Sequence, residues 1–292
     1  MKSIEIAGKI LGTFLGLGYL LLFEGNEWYQ WICFVAILIS IGIPHGAIDH
    51  LLLNPAIEKN NLVRFILKYL AIIGIYLGVW LIFPILALSA FVSMSAYHFG
   101  QSHFIKLRLQ KLEKLTYFSL GSFFLSTIFW ADFGYTTSIL SNIIEVTQFG
   151  IYGFWIIGST FASSTILILV NLKAKGLLLL LEISLLGIFL YQLPLLLGFI
   201  IYFGFWHSLP SMAEEFKALE DNLKPQKIKN FILKLLPFTL ISLMGIFLIL
   251  MFFQNLMKED QLTLLFFIMV SLISAPHIWY INLFLERRKS QY

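Results

Sequence analysis

The chain has 292 residues, 59% hydrophobic and 12% charged, with a formal net charge of +4, whereas soluble domains carry roughly 25% charged residues. This composition excludes a water-soluble globule, and the single cysteine, Cys33, excludes an intrachain disulfide and a multi-cysteine metal site. The basic residues fall into short, separated clusters and not onto one soluble domain, so nothing in the charge points to nucleic acid.

The first apolar stretch, 4–23, follows Lys2 and contains Lys9, and the succeeding "FEGNEW" offers no small-residue cleavage pattern, so it reads as a retained span. Further stretches near the ~20 residues needed to cross a bilayer as a helix lie at 29–53, 63–83, 85–105, 115–131, 149–171, 176–192, 194–209, 235–253 and 262–284. The expected fold class is all-α: a polytopic transmembrane bundle of about ten spans in the lipid bilayer, forming a single integral membrane domain over 1–292. Alternate connections carry the basic residues: Lys59, Arg64 and Lys68; Lys106, Arg108, Lys111 and Lys114; Lys173 and Lys175; Lys217, Lys224, Lys227, Lys229 and Lys234; then Arg287, Arg288 and Lys289. The intervening ones hold Glu24 and Glu27, the Pro84 turn, Asp132 and Glu145, the Pro194 turn, and Lys258 beside Glu259 and Asp260. Because Lys and Arg accumulate on the cytoplasmic side, both termini are expected there. Residues 211–234, "SMAEEFKALEDNLKPQKIKNFILK", read as a cytoplasmic amphipathic connector broken at Pro225, with Phe216, Leu219 and Leu223 at helical spacing.

All six histidines, His45, His50, His98, His103, His207 and His277, lie inside candidate spans, where ionisable residues are costly and point to function. Spans two, four, eight and ten run in the same direction. His45, His98, His207 and His277 each fall roughly 13–17 residues past the outer start of their span, or roughly 20–25 Å down. Imidazoles converging at one depth in a helix bundle are what a transition-metal site requires, and neutral imidazoles suit Fe(II), Cu or Zn. Positions i and i+5 lie about 140° apart on a helix. His50 and His103 are therefore separated from the first histidine of their segments unless the helix breaks near Gly46 or Gly100, which leaves them as outer residues, ligands of a second metal, or interfacial groups. Asp49, four residues after His45, and Glu182, at the same expected depth, are candidates to receive the second N–H of a metal-bound imidazole. Tyr97, Phe99, Tyr202, Phe203, Phe205, Trp206, Trp279 and Tyr280 crowd around the histidines and would suit a long, apolar, polarizable ligand. Neither the HExxH zinc-peptidase signature nor the P-loop or Rossmann glycine pattern is present.

The segments "PHGAIDH" (44–50), "YHFGQSH" (97–103), "FWHSLPS" (205–211) and "APHIWY" (275–280) resemble, in order, the motifs of the Brp/Blh family of membrane β-carotene 15,15'-dioxygenases. The resemblance implies a non-haem Fe(2+) enzyme of the bacterial cytoplasmic (inner) membrane that uses O₂ to cleave the central double bond of β-carotene into two retinal molecules, with a retinal-binding rhodopsin as product acceptor. It places metal ligands on His45, His98 and His207, and the histidine of the last motif on His277. Two positions depart from the family pattern. Ser211 stands where many members have a second histidine in H-S-x-R-H, which favours His277 as fourth ligand, and His103 stands where an acidic residue is common. Two other classes fit the intramembrane histidines: a dinuclear-iron lipid oxygenase or desaturase using all six, and a proton- or metal-coupled transporter.

Overall fold

The computed structural model describes residues 2–290, and every regular element among them is helical. In chain order these are α1 (Lys2–Leu22), α2 (Glu27–Ile37), a π-helical turn (Leu38–Gly42), a 3₁₀ turn (Pro44–Gly46), α3 (Asp49–Leu53), α4 (Lys59–Ile82), α5 (Pro84–His103), α6 (Glu113–Ala131) and α7 (Phe133–Leu140). There follow α8 (Gly153–Leu172), α9 (Leu177–Leu190), α10 (Leu195–Ile201), a second π-helical segment (Tyr202–Ser208), α11 (Leu209–Leu219), α12 (Lys227–Phe253) and α13 (Glu259–Ser290). Each expected apolar stretch is helical. Six runs among the described residues are long and apolar enough to cross a membrane: Ser3–Leu22, Glu27–Leu53, Lys59–Ile82, Leu195–Leu223, Lys227–Phe253 and Glu259–Arg288. The chain is an integral membrane protein.

Helix α7 occupies a connection that looks merely polar in the sequence. Asp132 caps it by accepting the Tyr135 N–H at 3.2 Å, and its other carboxylate oxygen accepts the Leu195 N–H at 3.3 Å, tying this connection to the start of α10.

Both π segments lie just before a proline. Proline has no N–H to donate to the carbonyl four residues earlier and its ring crowds that carbonyl, which favours a widened turn or a break before it, although α12 and α13 run through Pro237 and Pro276 without one. The first π turn ends two residues before Pro44, and the second ends two residues before Pro210. The helix is thus interrupted near Gly46, the condition under which His45 and His50 need not be separated as on a continuous helix. No interruption occurs near Gly100, and α5 runs through to His103, so His98 and His103 stay on different faces as the sequence reading has them by default.

The chain divides into two compact units, Met1–Leu38 with Val92–Pro210, and Ile39–Phe91 with Ser211–Tyr292. In the first, α6 packs on α8, α10 on α2, and α1 on both α10 and the second π segment. Gly8, Gly12 and Gly16 face that contact. A Cβ on Gly8 would lie 2.2 Å from Leu209 Cδ2 and one on Gly12 would lie 2.5 Å from Phe205 Cδ2. Helices α5 and α6 meet backbone to backbone, since a Cβ on Gly100 would fall 1.8 Å from the Tyr117 carbonyl oxygen and one on Gly121 would fall 1.7 Å from that of Ala96. In the second unit α13 packs on α3, α4 and α12. Trp80 Nε1 there donates to Ser271 Oγ at 2.9 Å, and Tyr69 donates to the Ile273 carbonyl at 3.2 Å.

The connector at 211–234 differs from the solvated helix expected. Helix α11 continues directly from the second π segment and buries Ser211, Ala213, Glu214, Glu215, Phe216 and Leu219, and Leu223 is buried beyond it. The break does fall at Pro225, between Leu223 and the start of α12. Two adjacent glutamates read as a water-facing stripe, but in a chain this apolar the same spacing also fits a helix packed inside the protein.

Candidate metal centre

In the unit containing α6, His98 is carried by α5 and His207 by the second π segment. Both are buried, and their rings lie edge to face with centroids 4.5 Å apart. The α5–α6 backbone contact at Gly100 and Gly121 fixes the level of His98. The π segment inserts an extra residue into the turn that carries His207, so this side chain points about 100° away from its direction in an uninterrupted α-helix. Phe99 lies 4.6 Å from the His207 ring, and Phe203 stacks nearly parallel to it at 5.6 Å. This apolar wall excludes water from one side of the imidazole.

In the unit containing α13, His45 and His277 are buried with ring centroids 4.7 Å apart. Each is oriented through Nδ1. That of His45 donates to the Gly42 carbonyl within the local turn, and that of His277 donates to the Asp49 carboxylate at 2.9 and 3.1 Å. A donating Nδ1 leaves the lone pair on Nε2, the form in which an imidazole ligates a metal through that nitrogen. The Tyr69 hydroxyl, which donates to the Ile273 carbonyl, also interacts with the Asp49 carboxylate. Gly46 allows this approach: a Cβ there would stand 3.2 Å from His277 Nδ1.

The donor chemistry in both units fits a transition metal. His98 and His207 in the one unit, and His45 and His277 in the other, are buried, and each ring offers a nitrogen of the kind that ligates a transition metal. Asp49, expected beside His45, serves His277 instead. The remaining two histidines lie in aromatic packing. His50 sits between Phe238 and Phe65, at 4.9 and 6.0 Å. His103 stacks on Phe124 at 5.0 Å and pairs through Nε2 with the Tyr202 hydroxyl at 3.1 Å.

Glu182 requires a correction. The expected donors were metal-bound imidazoles, but its Oε1 accepts from Lys9 Nζ at 2.5 Å and from Trp206 Nε1 at 3.1 Å. The depth estimate placed Glu182 at the level of the histidines, and helical rotation, which depth ignores, turned it toward Lys9 on α1 and Trp206 on the second π segment. Glu182→Gln, which keeps an acceptor for Trp206, is expected to lower stability by no more than about 1 kcal/mol, since the ion pair is partly exposed. Glu182→Leu orphans both donors and should cost more. Thermal midpoints in detergent measure this, and equal losses in the two variants would show that Trp206 is not the partner that counts.

The aromatic residues singled out from the sequence separate into distinct roles. Phe99 and Phe203 face His207. Phe205 fills the space left by Gly12, and Trp206 turns to Glu182. Tyr97 packs edge-on to Tyr117, and Tyr202 is buried against Phe124 and His103. Tyr280 stacks on Tyr69, while Trp279 is 63% exposed on the outside of α13. The sequence reading missed Tyr69 and Glu215, a carboxylate with no exposed surface.

A family model described as Beta-carotene 15,15'-dioxygenase matches residues 36–285, a range that takes in all four histidine motifs. A curated protein of Halobacterium salinarum, described as probable beta-carotene 15,15'-dioxygenase Blh, is 38% identical over 71 residues, which cover 23% of this chain and 21% of that protein. The aligned part thus spans about a fifth of the curated relative's length. No solved structure matches.

Proposed function

This chain belongs to the beta-carotene 15,15'-dioxygenase family, and on that premise we propose that it cleaves the central 15,15' double bond of β-carotene with O₂, one oxygen atom passing to each of two retinal molecules. The observation that carries this reading is the extent of the match, which begins before His45 and ends after His277 and so includes every buried imidazole described above.

His45, His98, His207 and His277 are the proposed ligands of an Fe(2+) ion. When bound, that ion supplies the redox chemistry with O₂, and the protein supplies position and dryness. Asp49 holds the His277 ring in the ligating tautomer, and the Gly42 carbonyl does the same for His45. Phe99 and Phe203 offer an apolar face to the polyene and keep water from the imidazoles. Substrate and product both dissolve in lipid, so a polyene entering from the bilayer never crosses water. The proposed topology is ten spans with both termini cytoplasmic in a bacterial inner membrane, supported by the alternation of Lys and Arg between connections, and a retinal-binding rhodopsin is the proposed acceptor. A reporter fused after Tyr292 is expected to be active only in its cytoplasmic form.

The decisive experiment is expression in a β-carotene-producing bacterium with pigment analysis. Loss of orange colour with accumulation of retinal is expected. Unchanged carotene beside well-expressed, iron-loaded protein, or products longer than retinal, would overturn central cleavage.

A further inference from the structure

The second π segment is held wide by its neighbours. A π turn contains one residue more than the α-helix around it, and if it relaxed to α geometry the side chains late in it, His207 among them, would rotate by about 100°. Pro210 favours the widening but does not enforce it, since α12 and α13 run through Pro237 and Pro276 as ordinary helix. Other helices of the same unit supply the rest. The hydroxyl of Tyr202, the first residue of the segment, meets His103 Nε2 on α5 at 3.1 Å. A Cβ on Gly204 would lie 2.3 Å from Ile37 Cγ2, so the backbone itself is pressed against α2. Phe205 fills the space beside Gly12 on α1.

Trp206 makes a contact that packing alone does not require. Its Nε1 donates to Glu182 Oε1 on α9 at 3.1 Å, and the same oxygen receives Lys9 Nζ from α1 at 2.5 Å. The Lys9 ammonium also stands 5.9 Å from the centre of the indole ring, within reach of a cation–π attraction. Gly8 and Gly12 already seat α1 against Leu209 and Phe205 through apolar contact. An ion pair added to such an interface is costly in a membrane protein and points to function. Trp206 directly precedes His207, so a bond that fixes the rotation of the one fixes the direction of the other. Helix α1 lies outside the 36–285 range of the family match, so the match itself says nothing of Lys9.

We infer that Lys9 and Glu182 are positioning residues of the metal centre: through Trp206 they clamp the π segment in the rotation that sets His207 beside His98, where the two rings lie 4.5 Å apart. This rests on the metal-centre reading of the preceding subsection and gives α1 a part in it. Neither residue ligates. Glu182 is the acceptor that fixes the indole, and Lys9 holds the carboxylate in place.

The test uses the full chain purified in detergent without metal and titrated anaerobically with Fe(II), and separately with Co(II), whose visible absorption reports the geometry of its ligands. Trp206→Phe, which keeps a ring and loses the N–H, and Glu182→Leu are each expected to bind Fe(II) roughly 10–100-fold more weakly, the range for residues that orient a ligand, with a shifted cobalt spectrum. Glu182→Gln retains an acceptor and should recover most of the affinity and the wild-type spectrum. The double variant Trp206→Phe/Glu182→Leu should bind no worse than the weaker single one, because both remove the same bond; additive losses would overturn this shared route. A role confined to packing would lower the metal-free thermal midpoint and leave affinity and spectrum unchanged, and that result overturns the inference. If Glu182→Leu does not fold, Trp206→Phe decides. Retinal formation is scored separately in carotene-producing cells. Clamp-dependent Fe(II) binding by a chain that makes no retinal sinks the cleavage reading alone, retinal formation with undiminished affinity in both single variants sinks the clamp alone, and a wild-type chain that binds neither ion overturns both.

Discussion

His207→Ala is expected to remove retinal formation and iron retention together while leaving the protein folded. The imidazole has no exposed surface and is flanked by Phe99 and Phe203, so water cannot readily occupy the vacated position. Loss of a residue that merely orients a ligand costs roughly 10–100-fold in affinity or activity; loss of a proposed direct ligand should exceed that range. The same outcome is expected for His45→Ala, His98→Ala and His277→Ala, and milder ones for His50→Ala and His103→Ala, whose rings serve aromatic packing. Iron per chain and retinal yield in carotene-producing cells measure the series. Full iron and activity in His277→Ala, with both lost in His103→Ala, would reverse the assignment of the fourth ligand.

The second large effect is expected far from any ligand atom. Gly121→Ala places a methyl group 1.7 Å from the Ala96 carbonyl oxygen, and because the obstacle is backbone, no rotamer relieves it. Helices α5 and α6 must separate by more than an ångström, and α5 carries His98. Overpacking in a filled interior typically costs 1–3 kcal/mol, occasionally more, and a backbone clash belongs at or above the upper end, about 3 kcal/mol. Gly100→Ala, facing the Tyr117 carbonyl oxygen at 1.8 Å, should behave alike. Gly74→Ala on α4, where a Cβ meets nothing within 4 Å, is the control and should be neutral or stabilising, alanine being the better helix former. Thermal midpoints in detergent would settle it, and an unchanged midpoint in Gly121→Ala would remove the α5–α6 contact from the list of what holds His98.

The helical nature of the apolar stretches was legible because a length of about 20 residues and an apolar composition are local properties. The four principal histidines were legible because ionisable groups stand out in such stretches. What the sequence hid was rotation. Depth along a span can be counted, but the direction of a side chain depends on every irregularity in the helix before it, and the two π segments shift the residues that follow them. Prolines 44 and 210 were the available signal for both, each lying two residues beyond a widened turn. Glu182 shows the consequence, since counting placed it at the level of the histidines and only the fold shows that Lys9 and Trp206 are its donors. Glu215 was hidden for a different reason. Charges near a helix end usually mark a water-facing stripe, and nothing local distinguishes the glutamate that finds Arg288 from the one that finds no side-chain cation.

The run Leu195–Leu223 is nearly all buried, whereas Lys59–Ile82 and Lys227–Phe253 expose most of their apolar side chains. This contrast bears on how the nascent chain reaches its final state. A helix covered in leucine and phenylalanine can leave the translocon for lipid alone, because lipid is the environment it keeps. The run bearing His207, Glu214 and Glu215 cannot do so without burying polar groups in hydrocarbon, and two of its partners, Phe231 on α12 and Arg288 on α13, are synthesised after it. It must therefore be held at the insertion machinery until the C-terminal helices arrive. Chains truncated before α12 should be cleared by membrane proteases even though most of the histidines have already been made.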